Sequence, residues 1–325
     1  MIDRRQLLMG AGALLSASLV AAAPSDQNYE NPDDMYEALR RQRATPLDVA
    51  GGKINVVFAD GAPGLNREPV LRWIQKSARA ISTYFGTYPT RDYGLLIVSA
   101  AGDRVGHATT YGYHGSATRI YVGVDADERA FAEDWILVHE MVHAALPDLP
   151  RRALWVQEGS ATWLEPIARA QAGELPVSEV WRQAVNGMPK GMPASGSGGM
   201  DGTHEWGRLY WGGATFWLEA EIAIYRQSGG HFLLCDALRA ISRASGGSSA
   251  DWSPEQMMAV GDKATGTTAL TTLYEKFSSR AFDGDLANLF KQLGVTIDSS
   301  GSIRFDQTAE LAPLTRLITL PLHHG

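Results

Sequence analysis

The tightest constraint on this chain is five residues long: His139-Glu140-Met141-Val142-His143. Two histidines four positions apart share one face of an α-helix, one turn above each other. In that geometry they can hold a metal ion between them. Glu140 then lies beside the open side of the ion, within reach of a proton on a bound water. The flanks predict the helix that this reading needs. Phe131 to Val138 reads as its first turns, with Glu133 and Asp134 suited to the positive N-terminal end of the dipole. Trp135, Ile136, Val138 and Val142 supply a face to bury, and Pro147 and Pro150 end the helix. The alternative is a core helix whose histidines only make hydrogen bonds. It would bury Glu140 with no partner that the sequence names.

A catalytic zinc site usually has three protein ligands and a water. The segment Trp155 to Glu165 predicts a second helix, reached through a turn at Pro147 to Pro150. It carries Glu158, fifteen positions after His143, and Glu165. Seven positions apart, the two share a helix face, and spacing alone leaves both as candidates for the third ligand. Gly159 would let two helices approach closely.

After H-E-x-x-H, the residues Trp155, Glu158, Gly159, Ala161, Trp163 and Glu165 form W-x-x-E-G-x-A-x-W-x-E. This resembles the signature of the gluzincin metallopeptidases, the thermolysin-like zincins that include the alanyl- and glycyl-aminopeptidase families. The resemblance implies one Zn²⁺ held by His139, His143 and Glu158, with Glu140 as general base and Glu165 as a supporting acid. Leu209 to Ala214 is similar to the family's Y-x-x-G-A segment, which implies Tyr210 as the donor to the oxyanion. Gly212 departs from that pattern, where a lysine or similar residue is common. The run Tyr84-Phe-Gly-Thr-Tyr88-Pro89 up to Tyr93, and the later Gly266, Leu270, Tyr274 and Phe277, look like the same group. The likeness spans about Ile54 to Val295 and leaves out the large N-terminal β-domain of many relatives. It implies an α+β fold: a zincin catalytic domain with a mixed sheet and its active-site helix, then a mostly helical lobe, with the cleft between. The implied reaction is zinc-dependent hydrolysis of a peptide or protein substrate.

One absence narrows that expectation. Aminopeptidases of this clan hold the substrate's free amine with a glutamate upstream of the zinc motif. The matching stretch here, Gly106 to Gly115, has no acidic residue, and Asp103 is the only carboxylate between Ser99 and Asp125. A buried ammonium without a carboxylate partner is costly. An endopeptidase is therefore favoured over an aminopeptidase. His107 and His114 read as substrate contacts or as exposed loop histidines. Two other readings use the same residues: a catalytically silent zinc-binding or cell-envelope binding protein, and a zinc hydrolase of a non-peptide bond.

The rest of the chain is organised around this site. Arg4 and Arg5 precede an apolar stretch from Leu7 to small residues at Ala21 to Ala23, which predicts a twin-arginine-like secretory leader over residues 1–23 and a periplasmic or secreted protein. At 17 residues and weakly hydrophobic, the stretch is short for a membrane span. Residues 24–50 read as a polar, loosely ordered lead. An α/β unit follows over 51–185, with strands near 53–59, 93–100 and 118–124 and a helix over 68–85. In the resembled fold the 118–124 strand is the cleft edge, where an extended peptide could add as a further strand. Residues 186–204, rich in Gly, Pro, Met and Ser, read as a lid or a disordered insertion, with His204 just inside its end. A helical unit covers 205–297, with helices starting near Glu205, Phe232, Pro254 and Thr268, and 298–325 is a tail. The formal charge of −7 becomes −8 once the leader's Asp3, Arg4 and Arg5 are removed. With no basic run, nucleic acid is excluded as an expected partner. No second long apolar stretch calls for membrane insertion after leader removal. Cys235, the single cysteine, excludes an internal disulfide and sits among apolar neighbours as a core residue.

Overall fold

A computed structural model describes residues 29–320; the leader expected over 1–23 lies outside them. The first half of the chain builds a mixed sheet of five strands: β1 (Ala44–Val49), β2 (Gly52–Phe58), β3 (Asp92–Ala100), β4 (Val105–Tyr111) and β5 (Ala117–Gly123). Their spatial order is β1-β2-β3-β5-β4. The three inner strands run parallel, and each outer strand runs antiparallel to its neighbour. Alternation along the strands sorts their side chains between two cores. Ile54, Val56, Leu95, Ile97, Ile120 and Val122 enter the main core, while Val57, Leu96 and Val98 enter a smaller one on the other face.

Helix α1 (Pro32–Arg41) closes the smaller core with Met35, Tyr36 and Ala38. It falls in the stretch expected to be loosely ordered, as does β1. The helix is short and half charged, yet each charge suits its place. The Asn31 side chain caps it, Asp33 and Asp34 lie in its first turn, and Arg40 and Arg41 lie in its last. Helix α2 (Arg67–Phe85) covers the other face with the expected stripe, including Val70, Ile74, Ile81 and Tyr84. Asn66 caps its start, and Gly86 ends it at φ 87°.

Two expectations about the metal region need correction. The cleft-edge strand is β4. The strand over 118–124 corresponds to β5, which is interior, paired to β3 on one side and β4 on the other. The segment 105–111 lacks a clear alternating pattern, and its register shifts between Val105 and Ala108. The helix expected from Phe131 onward is also two helices, α3 (Glu128–Glu133) and α4 (Ile136–Ala145). Asp134 breaks them apart: its backbone is extended, and its carboxylate accepts the N–H groups of Ile136 and Leu137 at 3.1 and 3.2 Å. The break turns Trp135 outward, 47% exposed rather than buried in the face predicted for it. At the far end of α4, the carbonyl of Ala144 accepts from the Ser248 N–H at 3.1 Å and from the hydroxyls of Thr90 and Ser116 at 3.4 Å.

The second half is mostly helical. It comprises α5 (Leu154–Gln171), α6 (Val177–Gly187), α7 (Gly213–Gln227), α8 (Leu234–Ser245), α9 (Pro254–Thr265), α10 (Ala269–Ser279) and α11 (Leu286–Gln292). A short hairpin, β6 (Val295–Ile297) with β7 (Ile303–Phe305), and α12 (Ala312–Thr319) follow. Cys235 is buried on α8, and its thiol pKa is pushed up, chiefly by burial. Among the described residues no helix is long and apolar enough to cross a membrane.

The Gly/Pro/Met-rich segment is neither a free lid nor a loose insertion along most of its length. Met188 and Met200 are buried in the main core. Asp201 accepts from the Trp155 indole at 2.9 Å and from Arg152 at 2.6 Å. Arg208 donates to the carbonyls of Gly198 and Gly199 at 2.8 and 2.9 Å. Composition hides this, because what fastens the segment lies on three other elements.

Candidate metal centre

Helix α4 projects His139 and His143 toward α5, which follows the Pro147 to Pro150 turn and packs against it. The three candidate donor atoms form a nearly equilateral triangle. His139 Nε2 lies 3.2 Å from His143 Nε2 and 3.3 Å from Glu158 Oε2, and the third side, His143 to Glu158, is 3.5 Å. A tetrahedral zinc with ligands at roughly 2.0–2.1 Å sets its donors about 3.3–3.4 Å apart. The triangle matches that edge on every side, and two imidazoles with one carboxylate are a donor set zinc accepts. Among the described residues this is the one cluster of three metal-ligating side chains. Glu158 holds an anion between two imidazoles. Burial acts against its charge, but His143 and His139 hold its pKa well below the usual carboxylate range. His143 shows the reciprocal effect: burial acts to lower it, and Glu158 outweighs this to leave it at about 8.

Glu165 is on the same helix but elsewhere in the structure. Seven residues advance a helix by about 10 Å, which carries Glu165 away from the histidines and into a buried pair with Arg169 at 2.7 Å. Burial pushes its pKa up to about 7 against the pull of Arg169. Spacing left the two glutamates equivalent; their separation along the helix axis distinguishes them.

Glu158 reaches the histidines because α5 is pressed against α7. A Cβ on Gly159 would lie 2.3 Å from the Gly213 carbonyl carbon, and one on Gly213 would lie 2.1 Å from the Trp155 oxygen. Both helices need glycine where they cross. Just before that crossing, Arg208–Gly212 forms a π-helical turn, a form often found at functional sites. This turn carries Tyr210. The ring stacks over His139 at 6.1 Å, and the phenol feels the charge of Glu158. Burial and then the Glu158 charge push its pKa well up, so it remains an O–H donor. The departure at Gly212 has a local cause. A Cβ there would meet the Met200 terminal methyl at 3.0 Å and the Gly191 oxygen at 3.2 Å, so the 186–204 segment fills the space a side chain would need.

Glu140 is buried beside the triangle. The Thr110 hydroxyl, on β4, lies 2.7 Å from its Oε2 and 2.6 Å from the Thr118 hydroxyl on β5. Tyr93 on β3 hydrogen-bonds Thr118 in turn. Sequence reading missed this set. Its only trace is the position of Thr110 in the stretch matched to the amine-binding segment. Two exposed tryptophans flank the site: Trp135 meets His139 edge-on at 5.5 Å, and Trp206 stacks on Tyr210 at 5.4 Å. His107 and His114 belong to the opposite face of the sheet. His107 pairs with Glu30 and stacks on Tyr121, and His114 packs on Tyr36 of α1. His204 is exposed.

No protein-family model and no curated protein matches this sequence. Solved structures do. An aminopeptidase N family protein from Idiomarina loihiensis is 13% identical, with 78% of this chain aligned to 49% of that one at a TM-score of 0.55. The chain shares the fold of the aligned half of that protein. The M1 zinc metallopeptidase from Deinococcus radiodurans is 17% identical, with 71% of this chain aligned to 50% of that one at a TM-score of 0.42. A variant of it gives 17% identity, 75% and 53% coverage and a TM-score of 0.45. This chain spans about half the length of the structures it matches. The expected α+β architecture, a mixed sheet and then a mostly helical region, is thus found as a fold.

Proposed function

We propose that this chain is an exported zinc metallopeptidase. The observation that carries the proposal is the donor triangle of His139, His143 and Glu158, whose sides fit one tetrahedral zinc. Bound there, zinc would acidify a water and polarise a carbonyl oxygen. The chain's own residues supply the rest. Glu140 takes the proton of the attacking water on its carboxylate and returns it to the leaving amine. Tyr210 keeps its proton and donates a hydrogen bond to the oxygen that gains charge. The terminal strand β4 offers an edge to which an extended peptide can pair.

The proposal favours internal cleavage. β4 carries no carboxylate, and nearby Asp103 is exposed beside Arg104. Nothing on that strand would neutralise a substrate's free amine. Export is supported by the arginine pair and apolar stretch at residues 4–23.

The test is Glu140→Gln. The variant is expected to bind one zinc per chain, as the unmodified protein does, and to cut nothing in a mixed-peptide digest. The unmodified protein is expected to cut in a chelator-sensitive way, within peptides rather than at their ends. Normal turnover by Glu140→Gln would overturn the mechanism. An inert unmodified protein with full zinc would point to a silent binding protein.

A further inference from the structure

The hydroxyl chain beside Glu140 has only one consistent direction. An ionised carboxylate accepts hydrogen bonds and cannot donate them, and each hydroxyl has one proton to give. Thr110 has two acceptors on Glu140, Oε2 at 2.7 Å and the backbone carbonyl at 3.1 Å, and the nearer, charged oxygen takes its proton. Its 2.6 Å contact with Thr118 must then be one that it accepts. Thr118 has in turn spent its proton, so Tyr93 donates to Thr118. The chain runs from Tyr93 through Thr118 and Thr110 to Glu140, across three adjacent strands, β3, β5 and β4. Its first two members are fully buried. Tyr93 and Thr118 have no water to turn to, so the direction cannot relax without orphaning a buried hydroxyl.

We propose that Thr110 is the positioning residue for Glu140, with Thr118 and Tyr93 holding Thr110 in place. It fixes the carboxylate by Oε2 and leaves Oε1 to take and return the proton. The sheet thereby sets the orientation of a base carried on α4, and the match of Thr110 to a segment that binds amines elsewhere acquires a different use. This rests on Glu140 acting as the base.

The experiment compares zinc-loaded Thr110→Val, Thr110→Ser and Glu140→Gln, using a peptide that the unmodified protein cuts. Thr110→Val keeps the shape and removes the donor. It is expected to lower kcat about 10- to 100-fold, with KM within about twofold and zinc content unchanged. Thr110→Ser restores the hydroxyl and should return kcat to within about threefold. Crystals of zinc-loaded Thr110→Val should show the Glu140 carboxylate displaced or spread over several rotamers. That readout needs no substrate, so it still decides the positioning role if no peptide is cut and the peptidase reading fails. A Glu140 carboxylate unmoved in Thr110→Val, or a Thr110→Ser as slow as Thr110→Val, would overturn the proposal. If Thr110→Val does not fold, Tyr93→Phe with the same crystallographic readout takes its place, with a smaller displacement of Glu140 expected and an unmoved carboxylate overturning the proposal.

Discussion

Gly159→Ala tests the link between helix packing and the metal centre. The added methyl carbon would sit 2.3 Å from the Gly213 carbonyl carbon, 2.4 Å from its Cα and 2.7 Å from its oxygen. Carbon atoms in contact prefer about 3.5–4.0 Å, so the overlap is about 1 Å or more. The obstacle is backbone inside a helix, and it cannot rotate away as a side chain would. Overpacking typically costs about 1–3 kcal/mol, and this contact belongs at the upper end. In a chain this size, that lowers Tm by roughly 5 °C. The relief available is for α5 to move off α7, carrying Glu158 with it. Metal–ligand distances tolerate only about 0.2 Å, so zinc affinity should fall about tenfold or more. Thermal melts and a zinc titration measure the two effects. Gly198→Ala is the control, because a Cβ there meets nothing within 4 Å. A Gly159→Ala variant with the melting temperature and zinc affinity of the unmodified protein would refute the crossing as the source of the site's geometry.

Two further outcomes concern Glu165 and Glu221, both buried and away from the triangle. Glu158→Ala should lose zinc, while Glu165→Ala should keep one ion per chain yet melt lower, because it strands Arg169; metal analysis giving the reverse would reassign the third ligand. Glu221 is buried on α7, and burial pushes its pKa up to about 7 although it accepts the Leu234 N–H at 2.8 Å. Between pH 4.5 and 7 the folded state therefore holds a proton that the unfolded state releases, so this group's contribution to stability falls as pH rises through that window. Glu221→Gln should match the unmodified protein near pH 4.5 and exceed it by up to about 3 kcal/mol above pH 7 in denaturant titrations; an equal change at pH 5 and pH 8 would contradict this.

The parts of the site that could be read in advance are those written within a few residues of chain. The 3.6-residue helical repeat alone puts His139 and His143 on one face, and a glycine next to a candidate ligand already signals a close helix contact. The inner strands and α2 were equally visible, because their apolar residues repeat at the strand or helix period over a full element. Short or irregular elements were not. α1 and β1 look polar because each buries only one narrow face, and β4 has no clean alternation to betray it. Asp134 looked like an ordinary first-turn acid, but its carboxylate caps the following helix and splits the predicted one.

What remained undetermined depends on atoms far apart in sequence. Glu158 and Glu165 are equivalent by helical face, and only the place where α5 crosses α4 and α7 selects the first. Tyr210 needs a π-helical turn to stack over His139, and that turn is packed against a segment whose composition suggests disorder. Thr110 reaches Glu140 because a sheet edge happens to lie beside α4. Local periodicity thus specified the histidine pair, and long-range packing brought Glu158, Tyr210 and Thr110 to it. A helix repeats its geometry from its own backbone, whereas a distance between two elements exists only once both are packed.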